Sequence, residues 1–129
     1  MTSWSKWHPL TEATCRLAPI YQGNYEIALA SGFIEYENGK SKTLYYGKSY
    51  KGQSSVRQRI TRHLAGAGSS VIADVIDLGL RLKVRWRQHD DPSDGECALF
   101  GAFVDRFGEL PKANKRGCST KKVLEQIAA

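Results

Sequence analysis

Between Tyr25 and Gly47 the chain reads as strand, turn and strand. The runs "YEIALA" and "GFIEYENGKSKTLYYG" concentrate Tyr, Ile, Phe, Leu and Thr, which suit a pleated, half-buried surface. Asn38-Gly39 lies inside this stretch and is the strongest short hairpin signal, because its turn type needs positive φ at both central positions. A hairpin at this point commits the chain to antiparallel pairing and brings Tyr25 and Tyr45 onto neighbouring strands. Ser31-Gly32 interrupts the first strand and suggests a bulge.

The following elements fit around that hairpin. "SSVRQRITRHL" predicts a helix capped by Ser54 or Ser55, with Val56, Ile60 and Leu64 as its buried stripe. Arg59 and His63 fall on one flank of the stripe and Arg57 on the other, while Arg62 points toward solvent. "AGAGSS" ends this helix and "SSVIADVIDLG" predicts a second, short one. "LRLKVRWRQ" alternates apolar with basic and predicts a third strand. Leu82, Val84 and Trp86 face inward there, and Arg81, Lys83, Arg85 and Arg87 line the other face. "SDGECALFGAFVDRFG" predicts the strongest helix, with Phe100, Phe103, Val104 and Phe107 on its apolar side and Glu96 at its N-terminal end. "ELPKANKRG" reads as a turn, and "STKKVLEQIAA" as a last helix capped by Ser119. The fold class expected is α+β: a small, mainly antiparallel three-stranded sheet, hairpin first, flanked by helices.

Residues 1–19 carry Trp4, Trp7 and His8 and read as an arm that packs on a single domain formed by residues 20–129. Stacking of the two tryptophans on nucleic-acid bases is the sharper alternative. With 129 residues and 41% hydrophobic content the chain can build one proper core. Formal net charge is +6, which suggests a polyanionic partner. No apolar run is long enough to span a bilayer and no secretory h-region follows the N-terminus, so no membrane association is expected. Cys15, Cys97 and Cys118 are odd in number and lack CxxC spacing, which argues against a disulfide framework or a zinc knuckle and suits a reduced cytoplasm.

The ordered residues resemble the GIY-YIG nuclease family. Gly23-Asn24-Tyr25 is similar to the GIY half of its motif with Asn in the middle, and Tyr45-Tyr46-Gly47 to the YIG half, followed by Lys48. Arg59 falls at the position of the family's catalytic arginine, His63 at one often held by histidine or tyrosine, and Glu96 at that of the metal-binding glutamate. Asn114, closing "LPKAN", is similar to the family's late asparagine. The match runs from Gly23 to Asn114 in order. It departs from the pattern in a longer loop between the motif halves and in Asn24, which replaces an apolar residue. The resemblance implies a metal-dependent endonuclease hydrolysing DNA, with RNA left open, and Mg²⁺ or Mn²⁺ as cofactor. The implied catalytic set is Tyr25, Tyr45, Arg59, His63 and Glu96, with Glu96 on the metal. Lys48, Arg57, Arg85 and Asn114 are the expected nucleic-acid contacts. Many members carry a separate recognition domain, so a chain this short is expected to be a minimal nuclease or to rely on a second copy or a recognition subunit.

The chemistry stands beside the resemblance. Phosphodiester cleavage needs an activated water, charge stabilisation on the phosphoryl oxygens and help for the leaving oxygen. A single carboxylate suffices for a Mg²⁺ ion that keeps most of its waters. Arg59 suits a bidentate phosphate contact. A tyrosine near cations can have its pKa lowered enough to serve as base, and Tyr25 is preferred over Tyr45 for that role. Structural readings compete with each assignment. The tyrosines suit sheet packing, Arg59 a snorkelling helix flank, and Arg81 to Arg87 a solvated sheet edge. Ser93-Asp94-Gly95-Glu96 matches a capping box, which by itself accounts for a glutamate at a helix start. A catalytically silent nucleic-acid-binding module on the same fold is the alternative function.

Overall fold

The structure is a computed structural model and describes residues 3–50 and 52–114. The helix expected from Ser119 onward, with Cys118, lies outside the described residues. The elements run β1 (His8–Pro9), α1 (Glu12–Leu17), β2 (Gly23–Leu29), β3 (Ile34–Tyr36), β4 (Gly39–Ser41), β5 (Thr43–Lys48), α2 (Val56–Leu64), α3 (Ser70–Asp77), β6 (Leu82–Gln88) and α4 (Pro92–Phe107). The class is α+β as expected. The main sheet has four strands rather than three, ordered β1-β6-β2-β5, and β3-β4 forms a separate two-stranded sheet. All pairings are antiparallel.

The fourth strand comes from the N-terminal segment. Ser5 N–H donates to Trp86 O at 2.7 Å, Trp86 N–H donates to Ser5 Oγ at 3.0 Å, and β1 continues the pairing onto β6. Trp4 and Trp7 then lie against the basic face of β6. The Arg85 guanidinium carbon is 4.5 Å from the Trp4 ring centroid and 4.7 Å from that of Trp7, and Lys83 Nζ sits 4.5 Å over Trp7. Lys83, Arg85 and Arg87 are therefore on an interior strand roofed by tryptophan, not on a solvated edge.

Strand alternation separates two packed faces. Tyr25, Ile27, Val84 and Trp86 point to one of them, where Ala18, Val56, Ile60 and Ile72 from the helical side complete a buried cluster. α2 starts with a capping box: Ser55 Oγ accepts from Gln58 N–H at 3.2 Å and Gln58 Oε1 accepts from Ser55 N–H at 2.8 Å. On the opposite face α4 lies along β5 and β2, and the Tyr46 ring meets Phe100 and Phe103 edge-on.

Two turn expectations are corrected. The β3-β4 turn is made by Glu37 and Asn38, with Tyr36 paired to Gly39, and among the described residues no non-glycine residue has positive φ. Gly39 alone supplies a positive φ, of 115°. The hairpin stands apart because Tyr36 turns into α4, meeting Phe103 edge-on and Phe107 at a tilt, and its hydroxyl donates to Thr43 O at 2.6 Å. Ser31-Gly32 is a bend beyond the end of β2, and the register shift falls earlier, between Ile27 and Ala28, opposite Tyr45 and Thr43. The six-residue helix α1 was not foreseen, although Thr11 caps it by accepting from Thr14 N–H.

Candidate active site at the β5 edge

β5 is an outer strand of the sheet, so groups from both faces can meet beside it. A cavity of about 120 Å³ there is lined by Tyr45, Lys48, Tyr50, Arg59, Glu96, Phe100 and Asn114. Tyr45 and Lys48 come from β5, Tyr50 from the loop after it, Arg59 from α2, and Glu96 and Phe100 from α4. Asn114 holds the strand itself: its Oδ1 accepts from Tyr46 N–H at 3.0 Å and its Nδ2 donates to Tyr46 O at 2.9 Å. That two-point clamp satisfies the outer edge of β5 as another strand would.

The glycine of "YYG" has a steric cause. Tyr25 pairs with Gly47 across the sheet, and a Cβ on Gly47 would run into the Tyr25 ring, reaching Cε2 at 2.6 Å and Cζ and Oη more closely still. The ring thus slides over Gly47 toward Tyr45, leaving 6.0 Å between the two centroids. Asn24 points to the other face, fully buried. Its Nδ2 donates to Pro92 O at 2.9 Å and to Gly47 O at 3.4 Å, tying β2 to β5 and to the start of α4.

Tyr25 is fully buried and Tyr45 is half-buried at the cavity wall. Burial raises the pKa of both above the ordinary tyrosine value, and well above it for Tyr25. The lowering expected of a base is absent, and the preference for Tyr25 in that role is not supported, since only Tyr45 reaches the cavity. His63 explains what Tyr25 does. Burial, with Arg59 and Arg62 adding to it, pushes the imidazole down to about 4, so it is neutral near pH 7. Its Nδ1 accepts from Ser69 N–H at 3.3 Å, which puts the remaining proton on Nε2. Nε2–H then donates to Tyr25 Oη at 2.8 Å. Tyr25 also packs against Tyr45, and the Tyr45 ring meets the His63 ring edge-on at 4.7 Å. The three rings form one cluster from the core to the cavity.

Glu96 has lost its structural alternative. α4 is capped by Asp91, whose side chain accepts from Asp94 N–H at 3.1 Å, with Pro92 in the first turn. Ser93 is inside the helix and accepts from Lys48 Nζ at 2.9 Å, so the Ser93–Glu96 capping box does not form. The Glu96 carboxyl faces the cavity, where burial pushes it up to about 7 against the pull of Lys48 and Arg59. Tyr50 was missed in the sequence and organises both cations: Lys48 Nζ lies 5.4 Å and the Arg59 guanidinium carbon 5.2 Å from its ring centroid. Arg59 Nε is buried with no hydrogen-bond partner among the described residues.

Two expected nucleic-acid contacts lie elsewhere. Arg57 Nε donates to Ala18 O at 2.7 Å and fastens α2 to the end of α1. Arg85 is paired with buried Glu26, with Nη2 at 2.6 Å and Nε at 2.7 Å from Oε1, beneath the tryptophans. Both are structural arginines. Arg62 is exposed, as read, and also lines a second cleft of about 500 Å³ beside Tyr45 and Arg59.

Among the described residues no group of three or more His, Cys, Asp or Glu side chains converges, so the donor set does not suit zinc. One half-buried carboxylate whose pKa is raised by burial does fit a hydrated Mg²⁺ or Mn²⁺, which needs only one or two protein oxygens. No helix among the described residues is long and apolar enough to cross a membrane. No family model, curated protein or solved structure matches the chain.

Proposed function

We propose that the chain is a metal-dependent endonuclease of the GIY-YIG type, acting on DNA at the β5-edge cavity. One observation carries the reading: a carboxylate, Glu96, shares a cavity of about 120 Å³ with Lys48, Arg59 and the hydroxyl of Tyr45. A site that only binds phosphate gains nothing from a carboxylate, which repels it. A site that cleaves phosphodiesters uses both signs of charge, one for the cation and one for the phosphoryl oxygens.

The residues divide the work. Arg59 contacts the scissile phosphate, with its buried Nε still free to donate among the described residues. Tyr45 brings the tyrosine hydroxyl that reaches the cavity and would orient the attacking water as a neutral phenol, since burial and Glu96 raise its pKa. Tyr25 packs behind Tyr45, and His63 fixes Tyr25 by a hydrogen bond. Lys48, held by Ser93, stands beside the leaving oxygen. Glu96 would hold the Mg²⁺ or Mn²⁺. The bound cation supplies positive charge that keeps Glu96 ionised and offsets the charge growing on the phosphoryl oxygens. Plasmid DNA incubated with Mg²⁺ or Mn²⁺, and with EDTA as control, tests the reading. Nicked or linear product only with metal is expected, and intact supercoiled DNA under all conditions would reject it.

A further inference from the structure

The second cleft is larger than the cavity of the proposed active site and opens beside it. It measures about 500 Å³, within the roughly 300–1,000 Å³ typical of ligand sites. Tyr45, Arg59 and Asn114 line both spaces, so the two are neighbours. The rest of its wall is Arg62, the Ala67 to Ser70 connection and Ala113. Among the described residues the lining of the whole cleft contains two arginines and two serines and no acidic side chain. Its charge is therefore the reverse of a cation site, while the smaller cavity keeps the only carboxylate.

The wall is built rather than incidental. Gly68 lies against the His63 ring, and a Cβ there would meet Nδ1, with Cγ at 2.9 Å, so the connection can descend only as glycine. Ser69 fixes its base three ways: its N–H donates to His63, its Oγ donates to Ala113 O at 3.1 Å, and the same Oγ accepts from Ile72 N–H at 3.4 Å. Arg62 is exposed and, among the described residues, makes a long 3.4 Å contact from Nη2 to Ala67 O, which lays the guanidinium along the cleft.

We infer that this cleft seats the nucleotide adjoining the scissile phosphate, with Arg62 binding that nucleotide's phosphate and Ser70 offering a hydroxyl. The assignment rests on the nuclease reading for what the neighbouring cavity does, and adds the path of the cleaved strand. The strand would leave the scissile position past Tyr45 and continue between α2 and α3. Recognition there is of the phosphodiester backbone, since the wall offers guanidinium and hydroxyl donors and no buried groups arranged to read a base edge.

The test uses the full chain labelled with ¹⁵N and titrated with thymidine 3′,5′-bisphosphate, without metal. Amide shifts at Gly68, Ser69 and Ser70 are expected. Affinity should weaken roughly tenfold in Arg62→Ala and stay near wild type in Arg62→Lys, as for loss of one charge-assisted phosphate contact. Shifts confined to Tyr45–Lys48 and Glu96, no binding, or equal affinity in Arg62→Ala would each overturn the assignment. The nuclease reading is judged separately: DNA left intact while the bisphosphate still seats at Gly68–Ser70 would remove the cleavage chemistry and leave the cleft.

Discussion

Replacing Glu96 with glutamine removes a carboxyl that burial pushes up to about 7 from an ordinary 4.5. Its folded-state pKa is raised, so its contribution to stability is fully present below the unfolded value and is lost as pH rises through about 7. Near pH 4 the group is protonated in both states, and wild type and Glu96→Gln should unfold alike. Near pH 8.5 wild type must keep an ionised carboxylate in a partly desolvated cavity, and the variant does not. At about 1.4 kcal/mol per tenfold change in proton affinity, the interval corresponds to about 3.5 kcal/mol. The remaining solvent contact reduces this to about 1–3 kcal/mol in favour of the variant. Cleavage should meanwhile fall below detection, because the amide is a poor Mg²⁺ ligand. Excess Mg²⁺ should stabilise wild type near pH 8.5 and leave the variant unchanged, by binding the folded state alone. Urea unfolding at both pH values, with and without Mg²⁺, reads all of this. A variant less stable than wild type near pH 8.5, or an equal Mg²⁺ effect on both, refutes the reasoning.

Three further outcomes follow from the same geometry. Arg59→Ala should slow single-turnover cleavage on the order of 100-fold, roughly 3 kcal/mol, with far less loss of DNA affinity; Arg106→Ala, exposed near the end of α4, is the control, because Arg62 lines the adjoining cleft. Tyr45→Phe should abolish cleavage in a protein of near wild-type melting temperature, whereas Tyr25→Phe strands the His63 Nε2–H donor in the core and should cost about 1–3 kcal/mol in urea unfolding. Gly47→Ala should destabilise by at least about 1–3 kcal/mol, since its Cβ enters the Tyr25 ring; a fully stable variant would show that the ring is free to move.

Much of the fold was legible because periodicity reports burial. Val56 and Ile60 in α2, and Leu82, Val84 and Trp86 in β6, are buried as the pattern required. The N-terminal strand was not legible, because two residues, His8 and Pro9, carry no alternation, and the pairing is completed by the Ser5 hydroxyl and by tryptophans over arginine. α1 left a short signal in Thr11 and Pro19, too brief for periodicity. Asp91-Pro92 marks the start of α4 as well as Ser93 does, and the rival capping box at Glu96 arose from reading the later residue. The site residues that line the cavity were visible as an ordered set, but their depth was not. Which tyrosine reaches solvent depends on Gly47 admitting the Tyr25 ring, a contact between strands. The structural partners of Arg57 and Arg85 were not legible for the same reason: composition marks arginine as basic and does not show that Ala18 O and Glu26 await it.

The central claim is that the β5-edge cavity cuts DNA, and side-by-side single-turnover assays of wild type and Glu96→Gln on an end-labelled duplex test it most directly. Both proteins are purified identically and supplied with Mg²⁺ at the same DNA occupancy. The account predicts metal-dependent conversion of substrate by wild type, and bound but uncut DNA with Glu96→Gln. Cleavage of equal rate by both proteins, or none by wild type at any Mg²⁺ or Mn²⁺ concentration, would contradict it.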